Sequence, residues 1–191
     1  MKVQALNQRN SRRARWLLFG LIVARAAAVE AWAQSSPPVV SAHAVMATDA
    51  AHADSPLKLA ILAQVAPGFH INDHKPTLDY LIPTQIKWEP SGQFAVKDIV
   101  YPKGTLKKFP FSDQPLSVYE GGVVVGVLLE PDKGVMPGTY TLKGKFAYQA
   151  CNDHACLAPT SVPLSVSVKV VPQSVPLKAV EPHVFQRIKF E

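Results

Sequence analysis

From Leu57 onward, apolar residues recur at every second position, and that period dictates a fold of half-buried strands. In LKLAILAQVA (57–66), Leu57, Leu59, Ile61 and Val65 form one face while Lys58 and Gln64 point away. YTLKGKFAY (140–148) sets Tyr140, Leu142, Phe146 and Tyr148 against Thr141, Lys143, Lys145 and Ala147. SVPLSVSVKVV (161–171) sets Val162, Leu164, Val166, Val168 and Val170 against Ser165, Ser167 and Lys169. LIPTQIKWE (81–89) and FAVKDIVY (94–101) are two further strands, separated by the turn signal Pro90-Ser91-Gly92. GVVVGVLLE (122–130) is almost continuously apolar, as expected of a central strand covered on both faces. No helical period appears beyond the N-terminal segment. The 17 prolines fit a protein with many turns. A length of 191 residues supports one core rather than two. The expected fold is all-β, an immunoglobulin-like sandwich of about seven to eight strands over residues 57–171.

The N-terminal segment has a different character. Lys2, Arg9, Arg12, Arg13, Arg15 and Arg25 precede residue 34, opposed only by Glu30. The net charge of +6 therefore sits mostly there, and the remainder is nearly neutral. That distribution argues against a nucleic-acid footprint, which needs a basic patch on the folded domain. WLLFGLIVA (16–24) is a short apolar run, and Ala31-Trp32-Ala33 fits a small-x-small cleavage site. The combination reads as a secretory signal peptide over 1–33, cleaved after Ala33. The run is too short to span a bilayer, so no stable membrane insertion is expected after cleavage. Residues 34–56, rich in Ala, Ser, Pro, His and Asp, read as a flexible linker. Residues 172–191 read as a C-terminal tail. Export implies an oxidising compartment.

Both cysteines lie in YQACNDHACLAP (148–159), between the last two predicted strands. The C-x4-C spacing across a hairpin connection is compatible with a disulfide. Two roles remain open at this point. The bond can be a structural staple, giving a non-catalytic immunoglobulin-like binding module, or it can be a labile redox couple. A short closed loop gains little from cross-linking, roughly 2 kcal/mol in the loop-entropy account. No helix N-terminus stands behind the pair to lower a thiol pKa. Asp153 disfavours a thiolate, and His154 favours one only when protonated. A third alternative is periplasmic zinc or copper binding by Cys151, His154 and Cys156 with His70 and His74, but the spacing matches no strong ligand pattern. No G-x-S-x-G elbow and no phosphate-cradling glycine loop is present.

GFHINDHKP (68–76), YLIPT (80–84), FPFSDQPLSVYEGGVVV (109–125) and above all YQACNDHACLAPTSVPLSV (148–166) resemble the N-terminal periplasmic domain of the DsbD thiol:disulfide interchange family. The resemblance covers about residues 57–171 and implies an immunoglobulin-like sandwich that relays reducing equivalents. It implies no dissociable cofactor and no bound metal. Cys156 would form the mixed disulfide with partners and Cys151 would resolve it. Partners would be thioredoxin-like periplasmic proteins, of the disulfide isomerase or cytochrome c maturation type. A membrane electron donor of DsbD type would be a separate chain. The family shields its pair with an aromatic on a cap loop, and SVYEGG (117–122) makes Tyr119 the expected shield, with Glu120 a nearby carboxylate. The loop is one residue shorter than the C-x5-C of the best-known members.

Overall fold

The computed structural model describes residues 38–190; the segment 1–33, read above as a signal peptide, lies outside them. The chain runs through β1 (Val40–Met46), β2 (Ala51–His52), β3 (Leu57–Val65) and β4 (His70–Asn72). It continues through β5 (Gln85–Trp88), β6 (Phe94–Val100), β7 (Thr105–Lys107) and β8 (Leu116–Tyr119). β9 (Gly122–Pro131), β10 (Gly138–Tyr148), β11 (Ala150–Cys151) and β12 (Thr160–Val171) follow, and α1 (Pro182–Phe185) is a single helical turn. No helix among the described residues is long and apolar enough to cross a membrane.

The strands form an immunoglobulin-like β-sandwich. One sheet has the order β1-β3-β9-β6 and the second β2-β12-β10-β5. The alternating residues meet between them: Leu59 and Ile61 of β3 and Val125, Val127 and Leu129 of β9 share one core cluster with Phe146 of β10 and Leu164, Val166 and Val168 of β12. Phe146 is fully buried. Removing such side chains from water contributes about 1.5–3 kcal/mol each, which makes this interface the main source of stability. A third, smaller sheet, β11-β4-β8-β7, carries the two short strands nearest the cysteines.

Two segments depart from expectation. Within residues 34–56, read as a linker, lie β1 and β2. β1 pairs antiparallel with β3 from Val40↔Val65 to Met46↔Leu59, and β2 pairs parallel with the end of β12. The apolar positions of β1 include Ala42 and Ala44, whose small side chains leave a weak period-two signal. Pairing with β3 supplies what local propensity does not. The tail 172–191 is likewise part of the fold. The Asp49 and Val180 amides bond to the carbonyls of Lys178 and Ala47 (3.0 and 2.8 Å), and Val184 is buried. Ile188 and Phe190 lie so close over Gly126 that a β-carbon there would meet them at 2.4 and 3.0 Å. This cover on the outer side of β9 explains why that strand reads as apolar on both faces.

Candidate functional site

The cysteine loop begins where the third sheet ends. β10 and β12 pair along their whole length, from Gly138↔Val170 to Tyr148↔Thr160. The connection between them is more than a hairpin loop. Its first residues form β11, which adds to β4 through Ala150↔Ile71 and Cys151↔His70. The chain then turns sharply. The Asn152 side-chain oxygen accepts the His154 and Ala155 amides at 2.9 Å each, and the Asn152 amide donates to the Ala155 carbonyl at 3.0 Å. Such an Asx-type closure stabilises a tight loop without help from neighbouring elements. Cys151 and Cys156 face each other across it, joined as a disulfide with 3.9 Å between Cα atoms.

The two cysteines differ in access. Cys151 is 1% exposed, held in a sheet, whereas Cys156 lies on the exposed arm of the loop. Asp153 and His154 are exposed at the tip between them. Asn152, which organises the tip, was not expected from sequence; an Asn at the start of a four-residue turn is the signal that points to it.

Strand alternation divides the third sheet into two faces. Ala150, Ile71 and Tyr119 are in register across β11, β4 and β8, and all three belong to the main core. Cys151 and His70 are the next pair along, so their side chains leave the opposite face. Tyr119 therefore does not shield the disulfide; the register turns it away. Its ring is buried in the core, and its hydroxyl donates to Asp73 Oδ1 at 2.5 Å and accepts the His74 amide at 3.3 Å. Asp73 also accepts from the Ser117 hydroxyl (2.6 Å) and from the amides of Gly104 and Lys75 (3.2 Å each). Burial acts to raise the Asp73 pKa, but hydrogen bonds from Ser117, Tyr119 and the two amides outweigh it and hold the carboxyl below its ordinary value. Burial first, and then the bond to Asp73, pushes the Tyr119 hydroxyl well above the usual phenol range. Gly104 is required beside this network, since a β-carbon there would meet Asp73 Oδ2 at 2.4 Å.

Other aromatics of the same stretch pack on His70, the residue opposite Cys151. Phe109 stacks on the His70 ring with centroids 4.2 Å apart, and Phe111 stacks on Phe109 at 5.2 Å. Phe109, Leu116 and Val118 form a small separate apolar cluster with Leu78 and Leu81. Phe111 stands at the surface, 47% exposed. The Phe-Pro-Phe sequence between Lys108 and a run of turn-forming residues is the sequence signal for this cover: two aromatics in a loop with no strand period. Glu120 is exposed and pairs with Lys107.

The metal alternative needs Cys151, His154, Cys156, His70 and His74 to converge. His74 instead stacks on Tyr101 at 3.7 Å and donates from Nδ1 to the Thr84 carbonyl at 3.2 Å. Among the described residues, no group of three or more His, Cys, Asp or Glu side chains is placed to hold a metal ion.

No curated protein matches the chain. The N-terminal periplasmic domain of ScsB from Proteus mirabilis is similar at 17% identity, over 66% of this chain and 44% of that one, with a TM-score of 0.43. The chain thus spans less than half of the ScsB chain it matches. The reduced DsbD N-terminal domain of Neisseria meningitidis is similar at 19% identity, over 65% of this chain and 86% of that one, with a TM-score of 0.37. The same Neisseria meningitidis domain has been solved in complex with the PilB N-terminal domain; that structure is similar at 19% identity, over 69% and 89% of the two chains, with a TM-score of 0.36. A family model described as "Thiol:disulfide interchange protein DsbD, N-terminal" matches residues 37–166, from the start of the described fold through the cysteine loop into β12. With well over half of its length matched, the chain belongs to the DsbD N-terminal domain family of thiol:disulfide interchange proteins.

Proposed function

We propose that the chain is an exported, periplasmic relay domain that passes reducing equivalents through Cys151 and Cys156 to thioredoxin-like partners. The acceptors are thiol proteins of the disulfide isomerase or cytochrome c maturation type. A membrane electron donor of DsbD type recharges the pair. The observation that carries this reading is the asymmetry of the cysteines: Cys156 lies on the exposed arm of the loop and Cys151 is buried beneath it. Thiol–disulfide exchange proceeds by attack along an accessible sulfur, so the exposed cysteine meets the partner and the buried one closes the ring. Asp153 and His154 flank the incoming partner at the loop tip, and Glu120 adds a charge beside it. Phe109, stacked on His70 opposite Cys151, replaces Tyr119 as the candidate shield.

Equilibration against thiol redox buffers tests the reading directly. A reduction potential above about −250 mV marks a couple that a thioredoxin-like protein can cycle, and a Cys151→Ser variant then accumulates a mixed disulfide at Cys156. A potential below roughly −300 mV marks a bond that resists reduction, and the domain is then a binding module with a structural disulfide.

A further inference from the structure

His70 is a buried side chain opposite the cysteines whose placement the relay reading leaves unused. It is 2% exposed, and its Nε2 is buried without a hydrogen-bond partner. It lies directly opposite Cys151 in the β4–β11 pair. Opposed residues in an antiparallel pair hold their Cβ atoms about 4.5–5.5 Å apart on one face. Phe109, stacked on the imidazole, fixes the ring and keeps water from it. A buried polar atom without a partner calls for an explanation. The bonded state of the cysteines offers one, because a disulfide sulfur carries no proton to donate, whereas the thiol formed on reduction does.

We propose that His70 is the proton acceptor for the Cys151 thiol, and so sets the rate at which the pair releases its partner. This inference rests on the relay reading and adds to it a named base. The chemistry requires one. The thiolate is the nucleophile, and burial without a cationic neighbour keeps a thiol protonated. In the mixed disulfide, Cys156 is bonded to the partner's sulfur and Cys151 is a thiol. The Cys151 proton passes to His70 Nε2, and the thiolate attacks Cys156 Sγ. The Cys151–Cys156 bond forms as the bond from Cys156 to the partner breaks. The partner's sulfur leaves with the electron pair and is protonated from the imidazolium or from water. Over both exchanges two electrons pass from the cysteine pair to the partner, whose disulfide becomes a dithiol.

The imidazole must be neutral to accept. Burial is the largest influence and lowers its pKa; Glu120 and Asp153 act to raise it and Lys107 to lower it, and the net direction is down. Lys108 and Asp113, the charges of the covering loop, are exposed, with the Lys108 ammonium bonded to the Asp113 carbonyl. A neutral acceptor at neutral pH is the outcome.

The test uses the reduced chain with oxidised glutathione as the disulfide probe. Acid quenching and mass analysis separate addition of glutathione at Cys156 from its release. In a His70→Phe variant, which keeps a ring beneath Phe109, addition should proceed at the wild-type rate. Release should slow roughly a hundredfold at neutral pH and recover as the pH rises toward the thiol's own pKa. Equal release rates and equal pH profiles in variant and wild type would overturn the proposal while leaving the relay intact. Failure of the wild-type chain to add and release glutathione would sink the relay reading itself, and this inference with it. Should the variant not fold, the imidazole nitrogen resonances of the wild-type chain decide. They should shift between the disulfide and dithiol forms, and identical nitrogen shifts in the two forms would overturn the assignment.

Discussion

The two ends of this molecule are built from different materials. The space between the two large sheets is filled by Leu59, Ile61, Val125, Val127, Phe146 and Val168. Every buried polar or charged residue among the described ones (His70, Asn72, Asp73 and Thr84) lies instead on or beside β4, at the end that carries the cysteine loop. The four are tied into hydrogen bonds wherever a partner exists: Thr84 donates to the Asn72 carbonyl at 2.6 Å, Asn72 to the Ile82 carbonyl at 2.9 Å, and Asp73 accepts four bonds. Apolar packing gives more stability but little direction, whereas satisfied polar contacts fix orientation. The sandwich therefore holds the fold, and the polar end sets where the short strands and the covering loop lie. His70 Nε2 is the exception within that end, and it sits opposite a cysteine.

That contrast can be broken experimentally. The largest effect is expected in the sandwich. Phe146→Ala should cost about 3–5 kcal/mol, seen as a lower midpoint in denaturant. Its disulfide exchange rate under native conditions should stay near wild type, since the cysteine loop is held by other elements. A matching loss of exchange would show the two ends are not separable. Next, Asp73→Asn should cost about 2–3 kcal/mol, because the amide cannot accept all the bonds that the carboxylate accepts.

The same variant gives a pH signature. The folded-state pKa of Asp73 lies below its unfolded value of 3.8. Its stabilisation is therefore complete above that value and is lost as the pH falls through the folded pKa. Acid titration of wild type should show this component below about pH 4, and Asp73→Asn should lack it. An identical acid profile in both would remove Asp73 as a keystone of this end.

A smaller loss of stability, about 1.5–3 kcal/mol, is expected for Phe109→Ala, but here exchange should move. Small thiols should reduce the disulfide several-fold faster once the ring over His70 is gone. Unchanged reduction kinetics would mean that Phe109 packs the loop without covering the pair. The smallest effect belongs to Glu120→Gln. Its pair with Lys107 is more than a third exposed on both sides, so its contribution is under about 1 kcal/mol and should fade with added salt.

Local pattern alone determined much of this protein. The alternation in 57–65, 140–148 and 161–171 marks β3, β10 and β12 because a half-buried strand must alternate. The continuous apolar run marks β9 because a strand covered on both faces need not alternate, and the cysteine spacing marks the loop. Tertiary structure decided the rest. The small alanines of β1 carry too little hydrophobic signal to announce a strand, so only pairing with β3 makes one. The cover over β9 comes from Ile188 and Phe190, about sixty residues further along the chain. Tyr119 could not be set aside as a shield from its identity, because the face a strand side chain takes depends on register, and register is a relation between strands rather than a property of either. The same relation sets His70 against Cys151. Neither residue's neighbours in sequence contain the other, and only the closing of β11 onto β4 brings an imidazole and a cysteine to one face.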